Sequence, residues 1–228
     1  MGAKVIVILL CSAALLITDC VRLTPKIGEF YSSDYNDVLP DKDPNGELYG
    51  FEEDLTEGCS VWCAIMDYQT AAESTSHLTP QGEFTYEAGN ILTGNRMNAW
   101  VEGVEGYGIG EAVSISKYYD NGSDRQDFDC FFFPGLCFVN GMDKNENAWK
   151  NNSRVKTLKM YFNDEYVCDL KLFDTMKPQY ISLSGLNLSS KNKETIIFRF
   201  EIAEVYPGDQ YDDTAITGIE IQVFTENH

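Results

Sequence analysis

Between Gly103 and Gly110 the chain carries four glycines in eight residues (Gly103, Gly106, Gly108, Gly110). Glycine at that density belongs to backbone that turns through positive φ or is closely approached by other atoms. A helix cannot absorb it, and a strand accepts it only at bulges and bends. Residues 90–111, NILTGNRMNAWVEGVEGYGIGE, therefore read as a structured loop. The turn Thr93-Gly94-Asn95 opens it, Trp100-Val101-Glu102 anchors it, and a strand comes after it. The plainer reading of Trp100 is a core residue inside a long hairpin connection, since buried aromatics are mostly core.

The chain beyond the loop has period 2. In residues 111–119, Ala112, Ser114 and Ser116 point one way and Val113, Ile115 and Lys117 the other, which is a strand. Residues 196–205 (IIFRFEIAEV) and 219–224 alternate in the same manner. Residues 61–66 form an apolar run of strand length. Residues 128–140 read as one strand broken at Pro134-Gly135. Strands at 155–162 and 166–173 flank Asn163-Asp164, a hairpin-turn signal, and 180–183 is a further short strand. Residues 71–78 are small and polar, and 147–153 read as loop. About eight or nine strands with no long helix predict an all-β sandwich or barrel. The absence of an internal repeat argues against a propeller or β-helix.

The 228 residues are 43% hydrophobic, enough for one core with chain to spare. A net charge of -19, from 17 Lys and Arg against 36 Asp and Glu, argues against nucleic acid and against anionic membrane headgroups. It fits solubility, cation binding or a neutral ligand such as a sugar. At the amino terminus, Lys4 precedes the apolar stretch 5–17, which reads as an export signal. It is short of the roughly 20 apolar residues of a spanning helix. Cys20 comes after Ile17-Thr18-Asp19 and resembles a site of lipid attachment, with Asp19 where a small residue is usual. The expectation is export with membrane anchoring through lipidated Cys20, at the cell envelope. Cleavage with release, or an uncleaved anchor, are the alternatives. Residues 1–20 are then the signal, 21–58 an acidic tether from which Leu48, Tyr49 and Phe51 are placed to dock back, and 59–228 the folded domain. Five cysteines remain (Cys59, Cys63, Cys130, Cys137, Cys168), so at least one is free or pairs between chains. Cys130 and Cys137 are placed to clip a bulge or hairpin. No zinc spacing is present, and His77 and His228 are remote from both cysteine pairs.

Several separated motifs occur together: residues 99–111 (AWVEGVEGYGIGE), Asn140-Gly141, 151–156 (NNSRVK) and 205–216 (VYPGDQYDDTAI). In this order they resemble the discoidin-like, galactose-binding-type domain described as glycan-binding and found joined to some bacterial NAD glycohydrolases. The resemblance runs from about residue 72 to about residue 223. It implies a jelly-roll β-sandwich and a lectin-like, carbohydrate-binding role. One sandwich uses up the chain after the tether, so no room is left for a glycohydrolase domain, and no catalysis is expected. The competing reading is a structural or adhesive envelope protein with a degenerate site.

Sugars bind by ring faces on aromatic side chains and by hydroxyls on planar polar groups. In sandwiches, the loops at one end carry binding. The candidates are Trp100, Glu102, Tyr107, Asn140, Asn152, Arg154, Tyr206, Tyr211 and Asp212, with Trp149 and Asn151 beside them. The alternative makes Trp100 and Tyr206 core plugs and pairs Arg154 with Asp212 or Asp213. No cofactor is required. The resemblance implies one structural calcium in the turn before Trp100, which Asn95, Asn98, Glu220 and backbone carbonyls would hold. Thr93 stands where relatives carry Asp, and Arg96 brings positive charge. Glu102 with Glu111, or Asp212 with Asp213, pose as carboxylate pairs for glycoside hydrolysis. Neighbouring residues of an extended chain point opposite ways, which counts against the second pair.

Overall fold

The computed structural model describes residues 29–31, 33–34, 67–120, 130–191 and 193–225. The expected signal, most of the expected tether with Leu48, Tyr49 and Phe51, and the expected strand at 61–66 lie outside the described residues. The protein is an all-β jelly-roll sandwich. One layer runs β3 (Asp67–Ser74), β5 (Ala112–Asp120), β12 (Thr195–Tyr206), β8 (Ser153–Phe162), β9 (Glu165–Lys171) and β1 (Glu29–Tyr31). Its neighbours are antiparallel except β1 on β9. The other layer runs β4 (Trp100–Val101), β13 (Thr214–Ile221), β7 (Gly135–Asn140), β10 (Gln179–Ser182) and β2 (Ser33–Asp34). The layers meet at a corner where β13 pairs with β8 in parallel over two residues, Thr214 with Ser153 and Ala215 with Arg154. A small third sheet joins β11 (Ser189–Lys191), β6 (Cys130–Phe132) and β14 (Phe224–Thr225).

The period-2 pattern explains which side chains fill the space between layers. On β12, Ile196, Phe198, Phe200 and Ile202 are buried while Arg199 and Glu201 face out. Phe200 meets Phe138 of β7 edge-on at 5.4 Å, so aromatic rings bridge the two layers, and Phe198 also meets Phe133, in the link before β7, at 5.3 Å. Each such ring stabilises the fold by about 1.5–3 kcal/mol through burial alone.

Most strands fall where alternation placed them. Asn163 and Asp164 adopt left-handed φ of 49° and 65°, the geometry that a two-residue hairpin turn needs. Pro134 separates β6 from β7 along the chain as expected, but the cysteine clip is corrected: Cys137 is a free thiol, as is buried Cys168. Burial, aided by the Glu220 carboxylate, pushes the Cys137 thiol up to about 11. Of residues 71–78, small and polar in sequence, 71–74 form the second half of β3, an edge strand whose partly exposed face needs few apolar residues. The segment read as loop at 147–153 holds a short helix, α1 (Glu146–Asn151). Asn145 caps it by accepting from the Ala148 N–H at 2.9 Å, a local signal that apolar periodicity does not register. The last long strand begins at Thr214 instead of residue 219, because the corner pairing with β8 extends it backward.

Candidate functional site

The glycine-rich loop and the bend after β12 are neighbours. Glu102 leaves β4 with no exposed surface, and its carboxylate accepts from two backbone N–H groups: Val104 at 2.9 Å and Thr214 at 3.1 Å. Thr214 returns its hydroxyl to the carbonyl of Tyr107 at 2.9 Å. The backbone of Glu102 also donates to Thr214 O at 3.2 Å. Gly108 lies across the Glu102 side chain with φ of +64°, and a Cβ there would sit 2.4 Å from Glu102 Cγ. Burial raises the Glu102 carboxyl above the ordinary carboxylate value, against the pull of its two backbone hydrogen bonds; Asp213 and Glu111 add to the rise.

The bend at 207–211 is stapled to the end of α1. Tyr211 N and Gln210 N both donate to Asn151 O, at 2.8 and 3.2 Å, and Asp209 N donates to Lys150 O at 2.9 Å. Ser153 Oγ accepts from Gly208 N and donates to Tyr211 O. Gly208 is required here, since a Cβ would lie 2.4 Å from the Asn151 carbonyl oxygen. Beneath the bend sits Arg154. Its guanidinium makes a two-pronged pair with Asp174 (3.0 and 2.9 Å), donates to the carbonyls of Asn152 (3.1 Å) and Pro207 (3.0 Å), and packs over the Trp149 ring at 4.5 Å. The Trp149 indole donates to Asn140 O, while the Asn140 amide bridges both polar groups of Val155.

These contacts divide the expected ligand residues into two groups. Trp100, Glu102, Asn140 and Arg154 are buried, and each is engaged internally. Trp100 donates its indole N–H to Ser76 O at 2.9 Å and is a core residue, so its expected ligand contact is corrected. Glu102 and Asn140 are corrected likewise, because their polar atoms satisfy buried backbone groups. Arg154 pairs with Asp174, not with Asp212 or Asp213. Tyr206 is half-buried and donates its hydroxyl to Leu172 O at 3.0 Å; Asn152 is half-buried and donates to Ala148 O at 2.8 Å. Tyr107, Tyr211 and Asp212 face solvent, the two tyrosines at 38% and 45% exposure. Val104 and Ile109 are exposed on the same loop as Tyr107. Asp174, Thr214 and Ser153 are not among the residues expected from the sequence. Single polar residues 20 to 112 positions from their partners leave no local pattern.

Two loops joined by these buried hydrogen bonds thus carry exposed aromatic and apolar side chains (Tyr107, Tyr211, Val104, Ile109) and exposed carboxylates (Glu105, Asp209, Asp212). Glu102 has both carboxylate oxygens committed to backbone amides, and Glu111 accepts from the Thr75 hydroxyl. The turn expected to hold calcium carries a cation and internal hydrogen bonds of its own. Asn95 Oδ1 accepts from Met97 N at 3.0 Å, and the guanidinium of Arg96 pairs with Asp143 beside the turn. The Glu220 charge is felt by Lys117 and Cys137. Among the described residues no group of three or more His, Cys, Asp or Glu side chains is placed to hold a metal.

The profile of a family described as "NAD glycohydrolase translocation F5/8 type C domain" matches residues 63–222. No curated protein matches the chain. Among solved structures, the C-terminal domain of a chitobiase from Bacteroides fragilis aligns at 13% identity and a TM-score of 0.42, covering 71% of this chain and 96% of that one. A GH29 fucosidase from Ruminococcus gnavus, in complex with fucose, aligns at 10% identity and a TM-score of 0.37, over 70% of this chain. The arabinofuranosyltransferase AftD from Mycobacteria aligns at 10% identity and a TM-score of 0.39, over 70% of this chain. The chain spans a quarter of the fucosidase and 12% of the transferase.

Proposed function

Because the chain belongs to the NAD glycohydrolase translocation F5/8 type C domain family, we propose that it is a binding module without catalysis of its own, and that its ligand is a glycan or other neutral polyol. The observation that carries this reading is that Tyr107 and Tyr211 are both exposed, on loops joined through Glu102 and Thr214. Rigid aromatic faces on fixed loops are what a sugar ring needs, and the hydroxyls then meet the exposed acids and amides nearby. The surplus of acid favours an uncharged ligand over a uronic or sialic acid. The amino-terminal run and Cys20 support export and lipid anchoring, which would hold the module at the envelope. A mass shift by one lipid moiety on the expressed full chain, lost in Cys20→Ser, tests the anchor.

A glycan array with subsequent titration of the purified protein tests the function. Saturable binding that Tyr107→Ala and Tyr211→Ala abolish, with unchanged melting, is the expected result. No saturable binding to any glycan would leave the scaffold or adhesive reading, which the internal engagement of Arg154 and Glu102 favours. Turnover of NAD or of aryl glycosides above buffer would overturn the non-catalytic assignment.

A further inference from the structure

The turn that precedes β4 contains a feature that glycan binding does not use. Asp143 lies just beyond β7, and its side chain is 1% exposed. A buried carboxylate is strongly disfavoured unless a positive charge and hydrogen bonds meet it. Arg96, at the tip of the turn, meets it: Nε donates to Asp143 Oδ2, and Nη2 reaches Met176 O at 3.4 Å. Asp143 is fixed from its own side, since its N–H donates to Thr217 Oγ1 at 3.0 Å and that hydroxyl donates to Gly141 O at 2.7 Å. The turn around Arg96 closes on itself. Thr93 Oγ1 donates to Asn90 O and accepts from Asn95 N, while Asn95 takes the Met97 N–H on its side chain and the Asn98 N–H on its carbonyl.

We infer that Arg96 is the resident cation of this turn: its guanidinium on Asp143 and Met176 O ties three loops together and supplies the charge neutralisation expected of calcium, so this end of the sandwich folds without metal. The three loops are the 93–98 turn, the 141–143 segment and the 173–178 loop. The last of these also carries Asp174, the partner of Arg154, so the clamp extends toward the bend at 207–211. A guanidinium suits this place because its planar fork can serve a carboxylate and a carbonyl at once.

The test is thermal melting of the purified full chain in millimolar calcium and in excess EDTA, for the wild type, Arg96→Met, Arg96→Lys and Arg96→Met/Asp143→Asn. The wild-type curves should coincide in calcium and EDTA. Arg96→Met should lower the melting temperature by roughly 5 °C or more, because Asp143 is left buried without a counter-charge. Arg96→Lys should fall between, and neutralising the orphaned acid in the double variant should recover part of the loss. A calcium-dependent rise in wild-type melting would overturn the inference, and needs no variant to fold. So would an Arg96→Met protein that melts with the wild type, or a double variant less stable than Arg96→Met.

Discussion

Glu102 and Thr214, 112 positions apart in the chain, share a buried hydrogen bond of 3.1 Å between a side-chain carboxylate oxygen and a backbone N–H. The second oxygen of Glu102 holds Val104 N at 2.9 Å. One acid thus fastens the glycine-rich loop to the start of β13. Glu102→Ala removes the acceptor for both amides; the Thr214 N–H is buried, and leaving it unsatisfied costs about 1–3 kcal/mol. The variant should unfold at a clearly lower urea midpoint with an unchanged m-value, measured by tryptophan fluorescence.

The same carboxylate sets a pH dependence. Burial raises its native pKa above the ordinary 4.5, so the folded protein binds this proton more tightly than the unfolded chain. Its contribution favours folding below that ordinary value and is lost as pH rises through the raised native value. Asp213, raised by burial and by Asp212, acts in the same direction from its ordinary 3.8. Glu201 acts oppositely: burial alone would raise it, but hydrogen bonds from Arg199, Lys159 and Tyr161 hold it low, and its contribution is lost as pH falls through that lowered value. As pH is lowered from neutrality toward 4.5, wild type should therefore gain stability relative to Glu102→Gln. Urea midpoints along a pH series check this. A stability difference that stays flat would show that Glu102 is not perturbed.

Two glycines of the corridor should respond unequally to alanine. Gly108 has φ of +64° and a would-be Cβ 2.4 Å from Glu102 Cγ, whereas Gly110 has φ of +92° and open space around it. Gly110→Ala meets backbone strain alone, about 1–3 kcal/mol. Gly108→Ala adds displacement of a buried side chain, about 1–3 kcal/mol more. Calorimetric melting of the two variants should rank them in that order.

Trp100 and Tyr211 should separate stability from binding. Trp100 is fully enclosed, so Trp100→Ala should destabilise by about 3–5 kcal/mol and affect binding only through folding. Tyr211→Ala trims a side chain that is 45% exposed and should leave melting nearly unchanged. Its effect belongs in the ligand affinity, read by calorimetric titration with any glycan that the wild type binds.

Alternation of apolar and polar residues was enough to set an all-β sandwich or barrel, and the family motifs pointed to the jelly-roll sandwich. On β12 and β5, every second side chain had to find a dry face, and two such faces make a sandwich. Asn163-Asp164 marked its hairpin, and the glycine density around Gly108 marked backbone that other atoms approach closely. The family motifs were likewise present in the linear chain. None of this decided which polar residues would be interior. Arg154 could as well have faced a ligand; what turned it inward was Asp174 on a different loop, together with the Pro207 and Asn152 carbonyls. Glu102 became a clamp only because Thr214 N arrived beside it. A buried polar side chain is defined by partners that satisfy it, and those come from distant parts of the chain. Periodicity fixes the face of a strand residue within its own segment, whereas the direction of a loop side chain exists only once the loops around it have packed.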